Sequence, residues 1–143
     1  MTLSVILGQK GRDVATTLPS RSLRDAAATL SELEIGALLV LSPDQRLLGI
    51  VSERDIVRAI ARNPHGVLDE PVSSHMTSRV VTATPETSVT EAMSSMTDGR
   101  FRHIPVLSGD RLVGVVSIGD LVKHRLSEME TENRAMIDYI SAS

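Results

Sequence analysis

An internal repeat constrains this chain more than any other feature. Residues 14–42 align with residues 80–108 at a constant offset of 66, and residues 46–58 align with residues 111–123 at an offset of 65. A unit of this length buries too little surface to be stable alone, so we expect the two copies to pack on each other. Such packing also creates clefts that both copies line with related polar groups. The identical pairs include Val14/Val80, Thr16/Thr82, Pro19/Pro85, Ser22/Ser88, Gly49/Gly114, Ser52/Ser117 and Asp55/Asp120.

Composition argues against several classes of partner. The 143 residues include one Phe, one Tyr and no Trp, so a single-stranded nucleic acid would find no aromatic stacking platform. The net charge of -3 argues against duplex binding, which needs basic patches. The sequence has no Cys, no apolar run of about 18 residues and no signal-peptide pattern at its start. We therefore expect a cytoplasmic protein that binds neither nucleic acid nor membranes.

The order of periodic segments predicts a β-α-β-β-α unit in each copy, and hence an α/β (α+β) fold. A Ser three residues before an acid opens the first helix of each copy, as in a capping box, at Ser22 and Ser88. Continuous apolar runs predict middle strands that are covered on both faces. The predicted strands are 14–18, 37–41 and 47–51 in copy one and 80–83, 104–107 and 112–116 in copy two; the helices begin at Ser22, Ser52, Ser88 and Ser117, and the first ends at Gly36. The predicted boundaries are a helical lead-in at 1–11, copy one at 12–62, a linker at 63–78, copy two at 79–125 and a helical tail at 126–143.

The last helix is predicted to continue to about residue 140, with side chains of one face alternately four and three residues apart. This spacing is typical of a coiled-coil seam, and its polar member, Asn133, is the kind of residue that sets the register of a dimer. The tail either packs on its own domain or forms a dimer contact. Together with the apolar faces of the first helices, it leads us to expect a homodimer. The seam residues are Val122, Leu126, Met129, Asn133, Met136 and Ile140, and the helix-face residues are Leu23, Ala27, Leu30, Met93 and Met96.

Each copy contains the motif Gly-h-h-Ser-x-x-Asp, where h is apolar, at residues 49–55 and 114–120. One interpretation is structural, because Ser at a helix N-cap with an acid three residues later satisfies free backbone N–H groups. The other is that Asp55 and Asp120 accept hydrogen bonds from the vicinal diol of a ribose, next to a helix N-terminus that favours anions. Capping alone favours the longer Glu or Gln at that position, whereas both copies have Asp.

A basic segment, Gly99-Arg-Phe-Arg-His103, precedes the second predicted strand of copy two. It is either a solvated loop or a phosphate clamp, since Arg binds phosphate through two parallel hydrogen bonds. The equivalent residues 34–37 have no positive charge, so the two copies should differ in their affinity for anions.

No set of catalytic or metal-binding residues stands out in the sequence. The four His show no metal-ligand spacing, residues 8–11 lack the rest of a phosphate-binding loop, and no Ser lies in a nucleophile elbow. We therefore expect no catalytic activity, no metal site and no catalytic cofactor.

The repeated order of elements, the Pro after each first strand and the paired Ser-x-x-Asp motifs resemble a tandem pair of CBS (cystathionine-β-synthase) domains over residues 12–125. The chain is most similar to free-standing bacterial CBS pairs, which carry Ser-Glu-Arg-Asp in copy one and Gly-Arg-Phe-Arg-His followed by Ser-Ile-Gly-Asp in copy two. The resemblance implies that two β-α-β-β-α units pair their sheets as a pseudo-two-fold pair, with a C-terminal helix added here. It also implies that such pairs usually assemble into a disc-shaped dimer.

The resemblance further implies a non-catalytic sensor that binds an adenosine-containing ligand in the clefts between the copies. AMP is the ligand expected first, with ADP, ATP, NAD, NADH or S-adenosylmethionine as alternatives, and the protein partner is unknown. Asp55 and Asp120 would bind ribose, with Ser52 and Ser117 on the phosphate side. Copy one departs from the family pattern at residues 38–39, so AMP is expected in the site of copy two, where Arg102 and His103 would add positive charge beside Asp120. The rival interpretation is a dimerisation or protein-interaction module with vestigial clefts. The residues implied at the adenine and phosphate positions are Thr16, Ile35, Gly36, Ala37, Arg54, Thr82, Arg102, His103, Ile104 and Pro105.

Overall fold

Each copy builds its own small β-sheet in the computed structural model, which describes residues 1–11 and 14–142. The strands are β1 Thr16–Thr17, β2 Ala37–Leu41, β3 Leu47–Ser52, β4 His103–Ser108 and β5 Arg111–Ser117. The helices are α1 Leu3–Lys10, α2 Leu23–Leu33, α3 Glu53–Arg62, α4 Val89–Gly99 and α5 Ile118–Ala142, and two 3₁₀ turns span Val67–Asp69 and Val72–Ser74. The sheet of copy one has the order β1-β2-β3, and that of copy two pairs β4 with β5. The predicted α/β fold class is therefore confirmed.

The first strand of copy two, predicted at residues 80–83, does not form, and Pro105 explains the difference. In copy one, β1 runs parallel to β2, and the Leu39 N–H donates to the Ala15 carbonyl at 3.1 Å. Pro105 is the residue of copy two that aligns with Leu39, and it cannot donate the equivalent hydrogen bond because proline has no N–H. Within residues 80–83, all of which the structure describes, only Ala83 forms a bridge to β4, so the prediction of a full strand is wrong.

Serine side chains define where the first helix of each copy begins. The hydroxyls of Ser22 and Ser88 accept hydrogen bonds from the backbone N–H three residues later, at 3.1 and 3.0 Å. Both predicted helix starts are confirmed. The predicted end of α2 at Gly36 is wrong, because Glu34 already adopts the left-handed conformation, with a φ of 54°, that closes the helix.

The hydrophobic core of each copy is completed by a segment that lies outside that copy in the sequence. Lead-in helix α1 packs on copy two, where Leu3 and Leu7 join the buried side chains of α4, β4 and β5. The linker packs on copy one instead, where Val67 and Val72, which are 2% and 0% exposed, join the side chains beneath α2 and α3. Each sheet is therefore covered partly by its own helices and partly by a segment that precedes the other copy.

The tail projects from the domain after the first two turns of α5. Of the residues of α5 that the structure describes, Leu121 and His124 are the buried ones. Beyond them, the seam residues Leu126, Met129 and Met136 are 55%, 52% and 64% exposed. The tail therefore does not pack on its own domain, which was one of its two predicted roles.

Most of the helix-face residues that were predicted to meet a second chain lie in the core instead. Leu23, Leu30 and Met96 are almost completely buried against the sheet of their own copy. Ala27 and Met93 are partly buried against the same clusters. An amphipathic helix has one apolar stripe, and here each stripe is used to cover a sheet within the chain.

Among the described residues, no helix has both the length and the apolar character that crossing a membrane requires.

Gly49 in β3 generates a prediction about stability, because the linker crosses it closely. A β-carbon at this position would lie 2.6 Å from the Thr77 carbonyl oxygen, a backbone atom. Replacing Gly49 with Ala should lower the free energy of unfolding by about 1–3 kcal/mol, as overpacking does in cores. Gly8→Ala, in α1, is the matched control, because a β-carbon there meets no atom within 4 Å. It should leave stability unchanged or raise it by up to about 1 kcal/mol, since Ala favours helix. Urea denaturation measures both variants, and equal stabilities would contradict the packing described here.

Candidate functional site

The Ser-x-x-Asp motifs form reciprocal caps at the starts of α3 and α5. In copy two, the Ser117 N–H donates to Asp120 Oδ2 at 2.8 Å, and the Asp120 N–H donates to Ser117 Oγ at 3.1 Å. Ser52 and Asp55 make the same pair of contacts in copy one, at 2.9 and 3.3 Å. The structural interpretation of the motif is therefore confirmed. Each cap uses one carboxylate oxygen, Oδ2, for the backbone and leaves Oδ1 available for another donor.

Lys10, at the end of α1, reaches the carboxylate of copy two. Its Nζ donates to Asp120 Oδ2 at 2.6 Å and to the Val115 carbonyl at 2.9 Å. Copy one has a neutral donor in the corresponding place, because the Thr77 hydroxyl lies 3.4 Å from Asp55 Oδ1. The two carboxylates are thus equivalent in backbone geometry but differ in their partners.

A cavity of about 640 Å³ opens beside Asp120, and both copies line it. We call it the Asp120 cavity. Copy one contributes the end of α2 and the chain that leads into β2, whereas copy two contributes the start of β4, the end of β5 and the cap of α5. Both copies therefore line a common cleft, and six of the predicted site residues meet in it: Ile35, Gly36, Ala37, His103, Ser117 and Asp120. The other lining residues are Lys10, Val14, Ala15, Leu33, Glu34 and Val115.

A second cavity, of about 140 Å³, opens beside Asp55, and we call it the Asp55 cavity. The basic segment of copy two forms one wall of it, so Arg102 lies with Asp55 and not with Asp120. Gly36 and His103 line both cavities and form the boundary between them. The full lining is Gly36, Ile50, Ser52, Glu53, Arg54, Asp55, Arg58, Thr77, Arg100, Phe101, Arg102 and His103.

Gly36 is needed where the two cavities meet. A β-carbon on it would lie 3.0 Å from Glu53 Oε1 and 3.4 Å from His103 Cε1, closer than side chains usually approach. Burial lowers the pKa of the His103 imidazole, and repulsion from Lys10 lowers it further, against the opposing attraction of Asp120 and Glu53. His103 is therefore neutral at pH 7, and the boundary between the cavities carries no charge of its own.

Four predicted site residues lie outside both cavities. Thr16 lines a separate depression with Arg21, and Thr82 is exposed on the surface. Ile104 and Pro105 are buried in β4, so they support the sheet and do not face either cavity.

Sequence reasoning missed several residues that line the cavities. Lys10 and Thr77 lie just before the start of each copy, so an alignment extended by a few residues would have paired these two segments. Arg58 follows Arg54 by four residues, and this spacing places both on one face of α3. Arg100 was named within the basic segment but was not assigned to a site.

The comparisons with known proteins identify the family. The chain matches the CBS domain at residues 11–62 and again at residues 72–127. It therefore belongs to the CBS domain family and consists of a tandem pair of these domains.

Relatives from other organisms support this assignment. The protein "CBS domain-containing protein CBSX3, mitochondrial" of Arabidopsis thaliana is 36% identical over a gapped alignment of 149 positions, which covers 97% of this chain and 71% of the plant protein. The CBS-domain containing protein ATU1752 from Agrobacterium tumefaciens has a crystal structure that superposes with a TM-score of 0.85. It is 44% identical, and the match covers 87% of this chain and 92% of that one.

Two further similar structures contain ligands. The CBS domain protein PAE2072 from Pyrobaculum aerophilum, complexed with AMP, superposes with a TM-score of 0.75 at 29% identity, over 84% of this chain and 89% of that one. The CBS domain pair of protein MJ0100, in complex with 5′-methylthioadenosine and S-adenosyl-L-methionine, superposes with a TM-score of 0.76 at 25% identity, over 86% of this chain and 98% of that one.

CBS domains that occur without an enzyme domain are generally non-catalytic regulatory modules. The plant relative and the Agrobacterium structure are named for the CBS domain and for no enzymatic activity. No group of His, Asp and Glu side chains in the described part of this chain could hold a metal ion.

The pair of Lys10 and Asp120 generates a prediction about pH. Burial raises the pKa of Asp120, but hydrogen bonds from Lys10 and Ser117 and the charge of Lys10 outweigh it, so the pKa lies below its ordinary value of 3.8. Such a carboxyl group stabilises the fold above its unfolded-state pKa and loses that contribution as the pH falls through the folded-state pKa. The protein should therefore lose this stability from about pH 4 downwards.

Replacing Lys10 with Met should weaken this pH dependence. At pH 7 the variant should be less stable by roughly 0.5–1 kcal/mol, the usual contribution of a half-exposed salt bridge. Its further loss of stability between pH 5 and pH 3 should be smaller than that of the wild type. Lys123→Met removes the same charge from α5, at a residue that forms no salt bridge with any described residue, and serves as the control. Urea unfolding at pH 7, 5 and 3 gives these differences, and identical pH profiles for all three proteins would contradict the prediction.

Proposed function

We propose that this CBS pair is a regulatory module that binds an adenine nucleotide in the clefts between its two copies. The observation that carries the proposal is the Asp120 cavity: at about 640 Å³ it lies within the range of small-molecule sites. Asp120 Oδ1 accepts no hydrogen bond from the described residues and so is available to a ribose diol. A buried carboxylate that accepts from both hydroxyls is a common way to recognise ribose.

AMP is the ligand that we propose first. A similar CBS protein was crystallised with AMP, and another with 5′-methylthioadenosine and S-adenosylmethionine, all of which contain adenosine. NAD, NADH and ATP share that group and are the further candidates.

Each part of the nucleotide has a proposed counterpart in the Asp120 cavity. Ile35 and Ala37 would pack on the adenine, because aliphatic side chains and backbone are what this cavity offers in place of aromatic rings. Asp120 would bind the ribose, and Ser117 would lie on the phosphate side. Lys10 would have to share Asp120 with the ligand, and its ammonium would then also lie near a phosphate.

The Asp120→Ala variant tests this proposal. Losing a charged hydrogen-bond acceptor should weaken AMP binding by about 1.5–3 kcal/mol, which is roughly ten- to a hundredfold. The fold should lose about 1 kcal/mol, because the variant also removes a helix cap. Asp110→Ala, in the exposed turn before β5, is the control and should bind AMP like the wild type.

Calorimetric titration with AMP, ADP, ATP, NAD and NADH and thermal melts of the three proteins measure both effects. If the wild type shows neither heat nor a melting shift with any of these at millimolar concentration, the nucleotide proposal fails. If Asp120→Ala binds AMP as tightly as the wild type, the proposed role of Asp120 fails.

A second candidate function, dimerisation or protein interaction, is favoured by the tail. Leu126, Met129 and Met136 lie along one side of α5 and are each more than half exposed. Two such helices would bury these side chains against each other, with Asn133 setting their register. We therefore propose a homodimer that forms through α5, whereas the regulated protein partner and the cytoplasmic location stay predictions.

Deleting residues 127–143 tests the dimer. The buried residues of α5, Leu121 and His124, lie before the cut, so the truncated domain should keep its fold and its melting temperature within a few degrees. The full chain should form a dimer at micromolar concentration, and the dimer dissociation constant of the truncated chain should be at least tenfold larger. Sedimentation equilibrium gives the dissociation constants of both proteins. Equal constants for the two proteins, or a full chain that is monomeric, would contradict the proposed role of the tail.

A further inference from the structure

Four arginine side chains surround the small Asp55 cavity. Arg54 and Arg58 come from the first two turns of α3, and Arg100 and Arg102 come from the loop between α4 and β4 on the opposite wall. All four are exposed at the mouth of the cavity. The carboxylates in the same lining are Glu53 and Asp55, so the cavity has four cations against two anions, with His103 neutral.

None of these arginines is neutralised by a contact with another described residue. In residues 1–11 and 14–142, none of the four guanidinium groups forms a salt bridge or a side-chain hydrogen bond. Arg54 and Arg58 lie four residues apart on one helix face, a spacing at which like charges repel and destabilise the helix. The concentration of positive charge therefore opposes folding in the absence of an anion.

The repeat shows that the fold itself does not require this charge. Arg100 aligns with Glu34, and the two residues share the left-handed conformation, with φ values of 57° and 54°. Arg102 aligns with Gly36, and Arg54 aligns with Gly119. Three of the four arginines thus replace an acidic or uncharged residue of the other copy at the same place in the fold.

The Asp120 cavity has the opposite balance. Its charged lining residues are Lys10, Glu34 and Asp120, which is one cation against two anions. A ligand with several negative charges is therefore attracted to the Asp55 cavity and disfavoured in the Asp120 cavity. The Asp55 cavity, at about 140 Å³, is also smaller than the roughly 300 Å³ at which small-molecule sites begin. It suits a chain of phosphate groups better than a nucleoside.

We propose that the Asp55 cavity is a subsite for a chain of two or more phosphates, which its four arginines bind. Guanidinium groups pair with phosphate oxygens through two parallel hydrogen bonds, and several of them around one cavity favour a polyphosphate over a single phosphate. The chain comes either from free polyphosphate or from the tail of a nucleotide. The nucleotide source rests on the proposed function. In that case the phosphate tail would pass from the Asp120 cavity into the Asp55 cavity at Gly36 and His103, where the two cavities meet.

The test uses the full chain and the double variant Arg54→Gln/Arg102→Gln. The control is Arg46→Gln/Arg62→Gln, which removes the same total charge at positions that line neither cavity. Calorimetric titrations in magnesium-free buffer use AMP, ATP and inorganic tripolyphosphate. The wild type and the control should bind ATP at least tenfold more tightly than AMP, and in the double variant this ratio of ATP affinity to AMP affinity should fall to about one. Tripolyphosphate should bind the wild type and the control at least tenfold more tightly than the double variant.

The sources of the phosphate chain are separated by the same titrations. Tripolyphosphate affinity equal to that of ATP supports a free polyphosphate ligand, whereas much tighter ATP binding supports a nucleotide tail. Binding of tripolyphosphate without binding of any nucleotide would overturn the proposed nucleotide function and leave this subsite supported. Equal affinity of the wild type for AMP and ATP, together with equal tripolyphosphate binding by both variants, would overturn the subsite and leave the nucleotide function standing.

Thermal melts without ligand distinguish a binding role of the arginines from a structural one. The double variant should melt at the wild-type temperature or slightly above it, because it loses repulsion and breaks no salt bridge or side-chain hydrogen bond between described residues. Tripolyphosphate should raise the melting temperature of the wild type and of the control but not that of the double variant. A double variant that melts several degrees below the control would show that the arginines stabilise the fold, and would overturn the proposal.

Discussion

Helix α1, which precedes copy one, covers the sheet of copy two. The linker, which precedes copy two, covers the sheet of copy one. Leu3 and Leu7 fill the core of copy two, and Val67 and Val72 fill that of copy one. A single copy would leave these apolar positions open to water, which is the expected problem of so short a unit. Burying each such side chain contributes on the order of 1.5–3 kcal/mol. Each copy therefore depends for its stability on a segment that precedes the other copy, and we call this arrangement the exchange of segments.

The same exchange brings the groups of the candidate site together. Because α1 lies on copy two, its last residue, Lys10, reaches Asp120. Because the linker lies on copy one, Thr77 reaches Asp55. Each Asp caps its helix through one oxygen and faces a cavity with the other, so the structural and the functional interpretations of the motif are compatible. The cap holds the carboxylate in place, and the packing of the neighbouring segment decides which donor it meets.

Similar backbones with different charges make the two cavities unequal. The αL residue that closes the first helix is Glu34 in copy one and Arg100 in copy two. Since each of these loops faces the motif of the opposite copy, the acidic loop lies near Asp120 and the basic loop lies near Asp55. The repeat provides two equivalent backbones, and different residues at a few loop positions give the two cavities opposite net charges.

The repeat, the periodicity and the capping serines determined much of this protein from the sequence alone. Helix starts at Ser22 and Ser88, the two central strands of each copy and the membership of the CBS family followed from such patterns, because caps and apolar runs act over a few residues. Tertiary structure decided what those patterns could not encode. Pro105 removes a donor whose partner would lie 24 residues earlier in the sequence, so the missing strand of copy two was not visible locally. The position of Arg102 in the Asp55 cavity, and the contact of Lys10 with Asp120, depend on which copy each segment packs against. That packing is decided by the burial of side chains far apart in the chain.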